Sequence, residues 1–478
     1  MSSFGSIYSV RSGLDAARRA LEVVGQNVSN ATTHGYTRQE VSFAAAEPTN
    51  IIKSAGRGIS DTQVLRYRDE FLDRQFRTRS GMQGFYDSMQ AQISQVEEIV
   101  GDLSEGGLRT SLDQFFNAWD NLANRPSDSS ARAQVVTAAV DFIDMAKSIY
   151  GELAGVRANV DEAIRGKVDE INSASREIAA LNQEIMSKEV GGQTANELRD
   201  QRDRILDSMA KLAGTSTVSH NDGSVTVFLG SMPLVDRGTA FPVNAKPGAP
   251  DAYGQVTSTL LWNPPPPPAT ATPAPFTSGE VAGLLQVRDQ IAPEYMNYLD
   301  NLVRSVATEV NTLHMGPAAT EIAFFTDGSG AYPFGTTPMD IQVNQAIVSD
   351  PSQIVAAATL PAAASDGERA QSIARLRDVS FVVGNPVGTV AVKPSEYLRA
   401  VSSHLGIAVQ QAQGHSEAVA LQVTQADKYR QSVSGVSLDD EMTKMIQYQQ
   451  TYNAAARMMT TLDEMLDVVV NRIGLVGR

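Results

Sequence analysis

Apolar residues at both ends of the chain recur at alternating spacings of three and four, and this pattern restricts the possible folds more than any other feature. At the start, Ile7, Val10, Leu14, Ala17, Leu21, Val24 and Val28 follow spacings of 3, 4, 3, 4, 3 and 4, the 3.5-residue seam of a coiled coil. Near the end, Met445, Tyr448, Tyr452, Ala455, Met459, Leu462, Leu466, Val469 and Ile473 repeat the same alternation. Two core helices of an ordinary bundle would carry such stripes. Chain ends usually fray, however, and rarely carry the longest apolar seam, so their placement at both extremes weakens that reading.

The 478 residues exceed one compact core and suggest roughly three units. Between the terminal stripes, helical periodicity covers residues 66–100, 108–124, 129–212, 279–315 and 395–432. In the third stretch Ile164, Val168, Ile171, Ile178, Leu181, Ile185, Leu198, Ile205 and Met209 form one stripe, which Gly191-Gly192 breaks into two antiparallel arms. Its charged run ELRDQRDRILD reads as solvated helix surface paired at i, i+3 and i, i+4. After Lys211 the pattern becomes short β-branched runs, with Asn221-Asp222-Gly223 as a hairpin turn. Pro264 to Pro268 form an extended polyproline surface loop, with an SH3-type ligand as the alternative. A second mixed region, 318–394, contains MDIQVN and FVVGNPVGTVAV. The expected fold class is mainly α with β insertions. Its parts are terminal coiled-coil helices (1–45 and 435–478) and an elongated helical middle domain (46–212, 279–317 and 395–434). A β-rich insertion with the Pro-rich loop (213–278) and a mixed insertion (318–394) complete it.

The net charge of −15 argues against nucleic acid and against anionic membranes as partners. The absence of cysteine excludes thiolate metal sites, thiol nucleophiles and disulfides. Arg11, Asp15, Arg18, Arg19 and Glu22 interrupt what would be the apolar core of a Sec signal, so none is expected. No run of about 18 apolar residues suggests a membrane span. His34, His220, His314, His404 and His415 show no helical metal spacing and read as isolated surface or loop residues. Asp327-Gly328-Ser329-Gly330 is a turn and not a calcium loop. No catalytic, metal or cofactor motif emerges. Residues 53–79 carry a net charge of +3, read as complementing an acidic surface on a neighbouring copy or partner.

The segment GQNVSNATTHGYTRQ from Gly25 to Gln39, directly after the first amphipathic stripe, resembles the signature of bacterial flagellar axial proteins. Within that group GQNVSNA and GYTRQ are similar to the hook-associated family of the hook–filament junction. ANELRDQRDRILDSMAKLAG, DGSVTVFLGSMPLVD, SGEVAGLLQVRDQ and GVSLDDEMTKMIQYQQTYNAAARMMTTLDEM agree in the same order. The resemblance spans most of the chain and is weakest over 236–278 and 318–390. His34 stands where the family pattern usually has proline before Gly-Tyr. Residue by residue, Asn27, Asn30, Gly35, Tyr36, Arg38 and Gln39 form a corner motif. Asn and Ser side chains there can end the first helix by bonding backbone, and Gly35 can take the positive φ that turns the chain.

The resemblance implies a non-enzymatic protein with its terminal helices paired in an axial core and its insertions pointing outward. It implies self-assembly into a ring through the seam residues Met445, Tyr448, Tyr452, Met459, Leu462, Leu466 and Val469 and their N-terminal counterparts. The implied partners are hook subunits, the second junction protein on the filament side and a cytoplasmic export chaperone on the C-terminal seam. The implied location is the extracellular flagellum, reached unfolded through type III export. Another axial protein (hook subunit, rod protein or second junction protein) is the alternative. An extracellular enzyme hosted in the β insertion is a further one, with His220 its sole histidine.

Overall fold

The computed structural model describes residues 3–46, 58–101, 107–263, 271–316, 321–335, 339–358, 365–385 and 388–468. Lys53, Arg57, the run Pro264 to Pro268, Val469 and Ile473 lie outside them. The chain is mainly α-helical with small inserted sheets. Helix α1 (Ser3–Ser29) leads through a corner into an antiparallel hairpin of β1 (Gln39–Ala45) and β2 (Ile59–Arg66). Helices α2 (Glu70–Gly101), α3 (Leu108–Asn124), α4 (Ser129–Glu189) and α5 (Asn196–Ala213) follow. The 61 residues of α4 span about 90 Å at 1.5 Å per residue. The helix starts where Asp128 accepts the Ser130 N–H at 2.8 Å, which satisfies a donor that would otherwise lack a partner. It stops at a turn in which Gly192 takes a φ of +78°. Beyond that turn, Thr194 Oγ1 and Asn196 Nδ2 donate to the Val64 carbonyl at 2.6 and 3.0 Å. The tip of the α4–α5 pair is thereby fastened to the β1–β2 hairpin.

Strands β3 (Ser216–Ser219), β4 (Val225–Leu229), β5 (Met232–Asp236) and β6 (Thr239–Ala240) form an antiparallel meander. Strands β7 (Val243–Pro250), β8 (Val256–Trp262) and β9 (Thr272–Pro273) form a second antiparallel sheet. Both pack on α4, and polar side chains on the inner face of that helix hold them. Asn182 donates to the carbonyls of Val225 and Arg237 at 2.8 and 2.7 Å. Asn172 both donates to the Val243 carbonyl and accepts its N–H, at 2.8 and 2.9 Å. Asp161 accepts from the Ser258 N–H and hydroxyl, each at 2.8 Å, and from Arg288 at 2.6 Å. A buried polar group costs stability unless paired, so each of these positions fixes strand placement as well as helix packing.

Helix α6 (Glu280–Gln286) passes through a π-helical turn (Val287–Ile291) into α7 (Ala292–Met315). The mixed insertion holds β10 (Phe325–Asp327) paired with β11 (Ile341–Val343), then α8 (Gln345–Ser349), α9 (Glu368–Ala374), and β12 (Phe381–Asn385) paired with β13 (Gly388–Val392). Its core joins that of the helices through Phe115, Phe116, Trp119, Phe142, Phe324 and Phe325, all fully buried. Phe324 and Phe325 meet edge to face at 4.9 Å. Each such side chain contributes about 1.5–3 kcal/mol on burial. Helix α10 (Pro394–Ser434) then returns along α2, and α11 (Leu438–Asp467) along α1.

Three readings of the sequence change in the structure. The run ELRDQRDRILD is not solvated surface: Asp200, Arg202 and Asp203 are buried. Nor is the basic segment wholly turned to another molecule, because Arg66, Arg68 and Arg77 meet those acids in the same chain. Arg66 reaches Asp200 and Asp203 at 2.6 and 2.9 Å. Arg68 reaches Asp73 and Asp203 at 2.5 and 3.1 Å, and Arg77 reaches Asp207 and Asp203 at 2.7 and 3.4 Å. From α10, Arg430 adds a contact to Asp207 at 2.5 Å and lies 3.9 Å from the Phe76 ring centre. Helical spacing places charges on one face but does not say whether water or another charged helix covers it. Burial alone would raise the Asp203 carboxyl; Arg68, Arg66, Arg77 and Arg202 instead hold it far below the usual carboxylate range.

The third change concerns the histidines. His314 is fully buried on α7. Its Nδ1 bonds the Ile322 carbonyl at 2.9 Å, and its Nε2 accepts the Val355 N–H at 3.0 Å. That pairing holds the ring neutral with its proton on Nδ1. His415 stacks on Tyr86 at 5.0 Å, and His404 Nδ1 lies 3.1 Å from the Tyr295 hydroxyl. The Asp327 turn is as read: Oδ1 accepts the N–H of Ser329 and of Ala331 at 3.0 and 2.8 Å.

Two outcomes follow for stability. Replacing Asp203 with Ala leaves buried arginines short of a counter-charge, so urea unfolding should show a loss of about 3–5 kcal/mol; a loss under about 1 kcal/mol would mean that the cluster is solvated after all. Burial pushes the His314 imidazole down to about 4, below the ordinary value of about 6.5. The unfolded chain therefore binds the proton more readily. Stability from this residue is complete above about pH 6.5 and falls as pH drops towards 4. Melting temperature measured against pH should show that decline, and His314→Phe should remove this part of the slope.

Candidate functional site

The two terminal helices pack antiparallel. Asn27 of α1 bonds Glu441 of α11, and one heptad away Tyr448 packs on the buried cluster of Ala20, Val23 and Val41. Both contacts lie at the same offset, so the pair has one register. On α1, Ala17 and Val24 are buried, while Ile7, Val10, Leu14, Leu21 and Val28 are half-buried. Ala16, Ala20 and Val23 are buried too, so the covered face is centred to one side of the heptad stripe and is built from small residues. On α11, Met445, Tyr448, Tyr452, Met459, Leu462 and Leu466 are all half-buried; Val469 lies outside the described residues. Met442, Ile446, Met458 and Met465 on the same helix are more than half exposed.

The corner after α1 starts as a helix end. Asn30 bonds back to the Gln26 carbonyl through both its N–H and its side-chain amide, each at 3.0 Å. The chain reverses at Gly35, with φ of +77°. That positive φ favours glycine, and a Cβ at Gly35 would lie 2.6 Å from Arg204 Cγ and Cδ, so a larger residue would also displace the Arg204 side chain.

Asn27 does not cap the helix; its side chain points across the corner and uses all of its bonding capacity. The amide donates to the Gln39 carbonyl at 2.8 Å and to Glu441 Oε2 at 2.9 Å. Its oxygen accepts the Tyr36 hydroxyl at 2.9 Å and the Gln39 N–H at 3.0 Å. Two donors and two acceptors are thus satisfied in a fully buried side chain. Glu441 Oε1 takes Arg38 Nε at 2.9 Å. The Arg38 N–H donates to the Ser434 carbonyl at 2.9 Å and its carbonyl accepts the Tyr67 N–H at 2.8 Å. Gln39 Oε1 accepts from Asn196 at 3.1 Å, and the Thr37 N–H donates to Asp200 at 3.2 Å. Burial, then Asp200, Glu197 and Glu441, raise the Tyr36 hydroxyl to about 12. Tyr36 is a fixed donor and not an acid. The structure gathers Tyr36, Gln39 and Glu441 around Asn27 and adds Arg38 to Glu441, while Asn30 and Gly35 shape the turn.

Glu441 is the residue that the sequence analysis passed over. It stands four residues before Met445 and seven before Tyr448, a seam position where the 3, 4 spacing asks for an apolar side chain. It is 1% exposed. An acid at such a position was the available signal. Among the described residues, no group of three or more His, Asp or Glu side chains is placed to hold a metal ion. No helix of the described residues is long and apolar enough to cross a membrane.

Comparison with known proteins agrees along the whole chain. The family model "Flagellar hook-associated protein FlgK helical domain" matches residues 93–318. Residues 7–37 match "Flagella basal body rod protein" and residues 430–473 match "Flagellar basal body rod FlgEFG protein C-terminal", which are the two arms of the terminal pair. Flagellar hook-associated protein 1 of Bacillus subtilis is 30% identical, with 100% of each chain covered. The protein of that name from Escherichia coli is 24% identical, over 97% of this chain and 99% of its own. The fold is also that of the flagellar hook junction protein FlgK from Burkholderia pseudomallei, with a TM-score of 0.61 at 16% identity, covering 76% of this chain and 100% of the other. With its whole length aligned to such a relative, the chain belongs to the flagellar hook-associated protein 1 family.

Proposed function

We propose that this chain is a structural, non-enzymatic protein that forms the hook-side junction ring of the flagellum and joins hook to filament by polymerising through its terminal helices. One observation carries this reading: α11 bears more apolar surface than α1 covers. Six of its seam side chains are only half-buried, and Met442, Ile446, Met458 and Met465 are exposed beside them. A two-helix pair with an alanine-rich partner face leaves such a helix incomplete, and further helices complete it. Covering each large side chain on assembly contributes about 1.5–3 kcal/mol. The corner residues Asn27, Asn30, Gly35, Tyr36, Arg38 and Gln39 set the direction in which the rest of the chain leaves the pair. In this reading α1 and α11 lie towards the axis and the inserted sheets point outward. The partners are further copies, hook subunits below and the second junction protein above. A cytoplasmic chaperone covers the C-terminal seam before export by the type III route, without a cleaved Sec signal. The relatives, all flagellar proteins, support this reading.

Substituting Leu462 and Leu466 together by Asp places two charges on the seam and leaves the helical body intact. The expected result is secretion-competent cells with hooks and no filaments, and loss of chaperone capture by the purified variant. Normal filaments together with unchanged chaperone capture would contradict the seam assignment.

A further inference from the structure

We propose that Glu441 and Asn27 are the register key of the terminal helix pair: a buried polar contact inside an otherwise apolar seam that permits one alignment of α11 on α1 and rejects those one heptad away. The need for a key follows from the sequence of the two faces. The covered face of α1 repeats small residues, Ala16, Ala17 and Ala20 with Gly13 before them. The facing stripe of α11 is bulky apart from Ala455, with Tyr448, Tyr452, Met459, Leu462 and Leu466. Sliding one helix past the other by seven residues sets Ala20 against Ala455 but still sets Ala16 against Met459 and Gly13 against Leu462, so apolar packing discriminates weakly among registers.

The polar contact discriminates strongly. In the observed register the Asn27 amide reaches Glu441 Oε2 at 2.9 Å, and the second carboxylate oxygen takes Arg38 at 2.9 Å. Asn27 has no capacity to spare, since its remaining bonds go to Gln39 and Tyr36. Lys444, one turn on, meets Glu40 of β1 at 2.9 Å and ties α11 to the hairpin that follows the corner. A slip of one heptad, about 10 Å along the helix, would set the Tyr448 ring against Asn27. The Glu441 carboxylate would then lose both Asn27 and Arg38. An unpaired buried carboxylate and amide cost far more than the seam gains elsewhere. The cluster also joins both helix ends to the corner, so the register of the pair and the exit direction of the chain are set by the same atoms. The inference concerns a single chain and does not depend on the ring.

The chain has no cysteine, so introduced pairs report register without background. Ala20→Cys with Tyr448→Cys marks the observed register, and Ala20→Cys with Ala455→Cys marks a slip of one heptad. The full-length chain is treated with a thiol cross-linker shorter than one heptad, in the native background and with Asn27→Leu plus Glu441→Leu. With the key present, the 20–448 product should exceed the 20–455 product by about tenfold or more. With leucine at both positions helical content should persist, and the two products should come within about threefold of each other. Glu441→Ala alone is the second variant, should the leucine pair not fold, and its ratio should fall in the same direction. An unchanged ratio in either folded variant, or no 20–448 product in the native background, would overturn the assignment.

Discussion

Everything in this molecule depends on the antiparallel contact between its first and last long helices. Because α1 and α11 lie together, every segment between them is an excursion that must leave the pair and return to it. The corner at Gly35 provides the way out, and the junction between Ser434 and Leu438 provides the way back. Both pass through one hydrogen-bonded group, in which Arg38 binds Glu441 through its side chain and the Ser434 carbonyl through its backbone. Charged and polar atoms do here what an apolar seam cannot: they define direction and alignment as well as adhesion.

A second polar layer transmits that alignment to the body. The hairpin β1–β2, α2, α5 and α10 converge on Asp200, Asp203 and Asp207, which are held by Arg66, Arg68, Arg77 and Arg430. Charge pairs buried in this way contribute little net stability compared with an apolar core, but they tolerate few alternative arrangements. The joint between the terminal pair and the long helices is therefore specific where the aromatic core around Phe115 and Phe324 is merely cohesive.

Most of the helical framework was legible in the sequence because its signals are local. The 3.6-residue stripe of α4, the Gly192 break and the Asn221-Asp222-Gly223 turn are read from neighbours in the chain, and α3 falls where its periodicity places it. The β1–β2 hairpin was not legible: most of β1 is exposed, so no alternation of buried and exposed residues marks it. The Arg–Asp cluster was misread for a different reason, since its two halves are more than 120 residues apart in sequence. Asn182, Asn172 and Asp161 likewise look like ordinary polar helix positions until the strands that they hold are in place. Within the candidate site, the family-like residues Asn27, Tyr36, Arg38 and Gln39 were visible as a motif, whereas Glu441, which binds Asn27 and Arg38, was visible only as a break in the seam pattern.

The most direct test of the account is electron microscopy of cells that lack this chain, with the growth medium assayed for unassembled flagellin. A protein that joins hook to filament through its terminal helices predicts complete hooks without filaments, and flagellin shed into the medium. Missing hooks would move the chain down the axis to the rod or the hook itself, and normal filaments would remove it from the axis; either result contradicts the junction role.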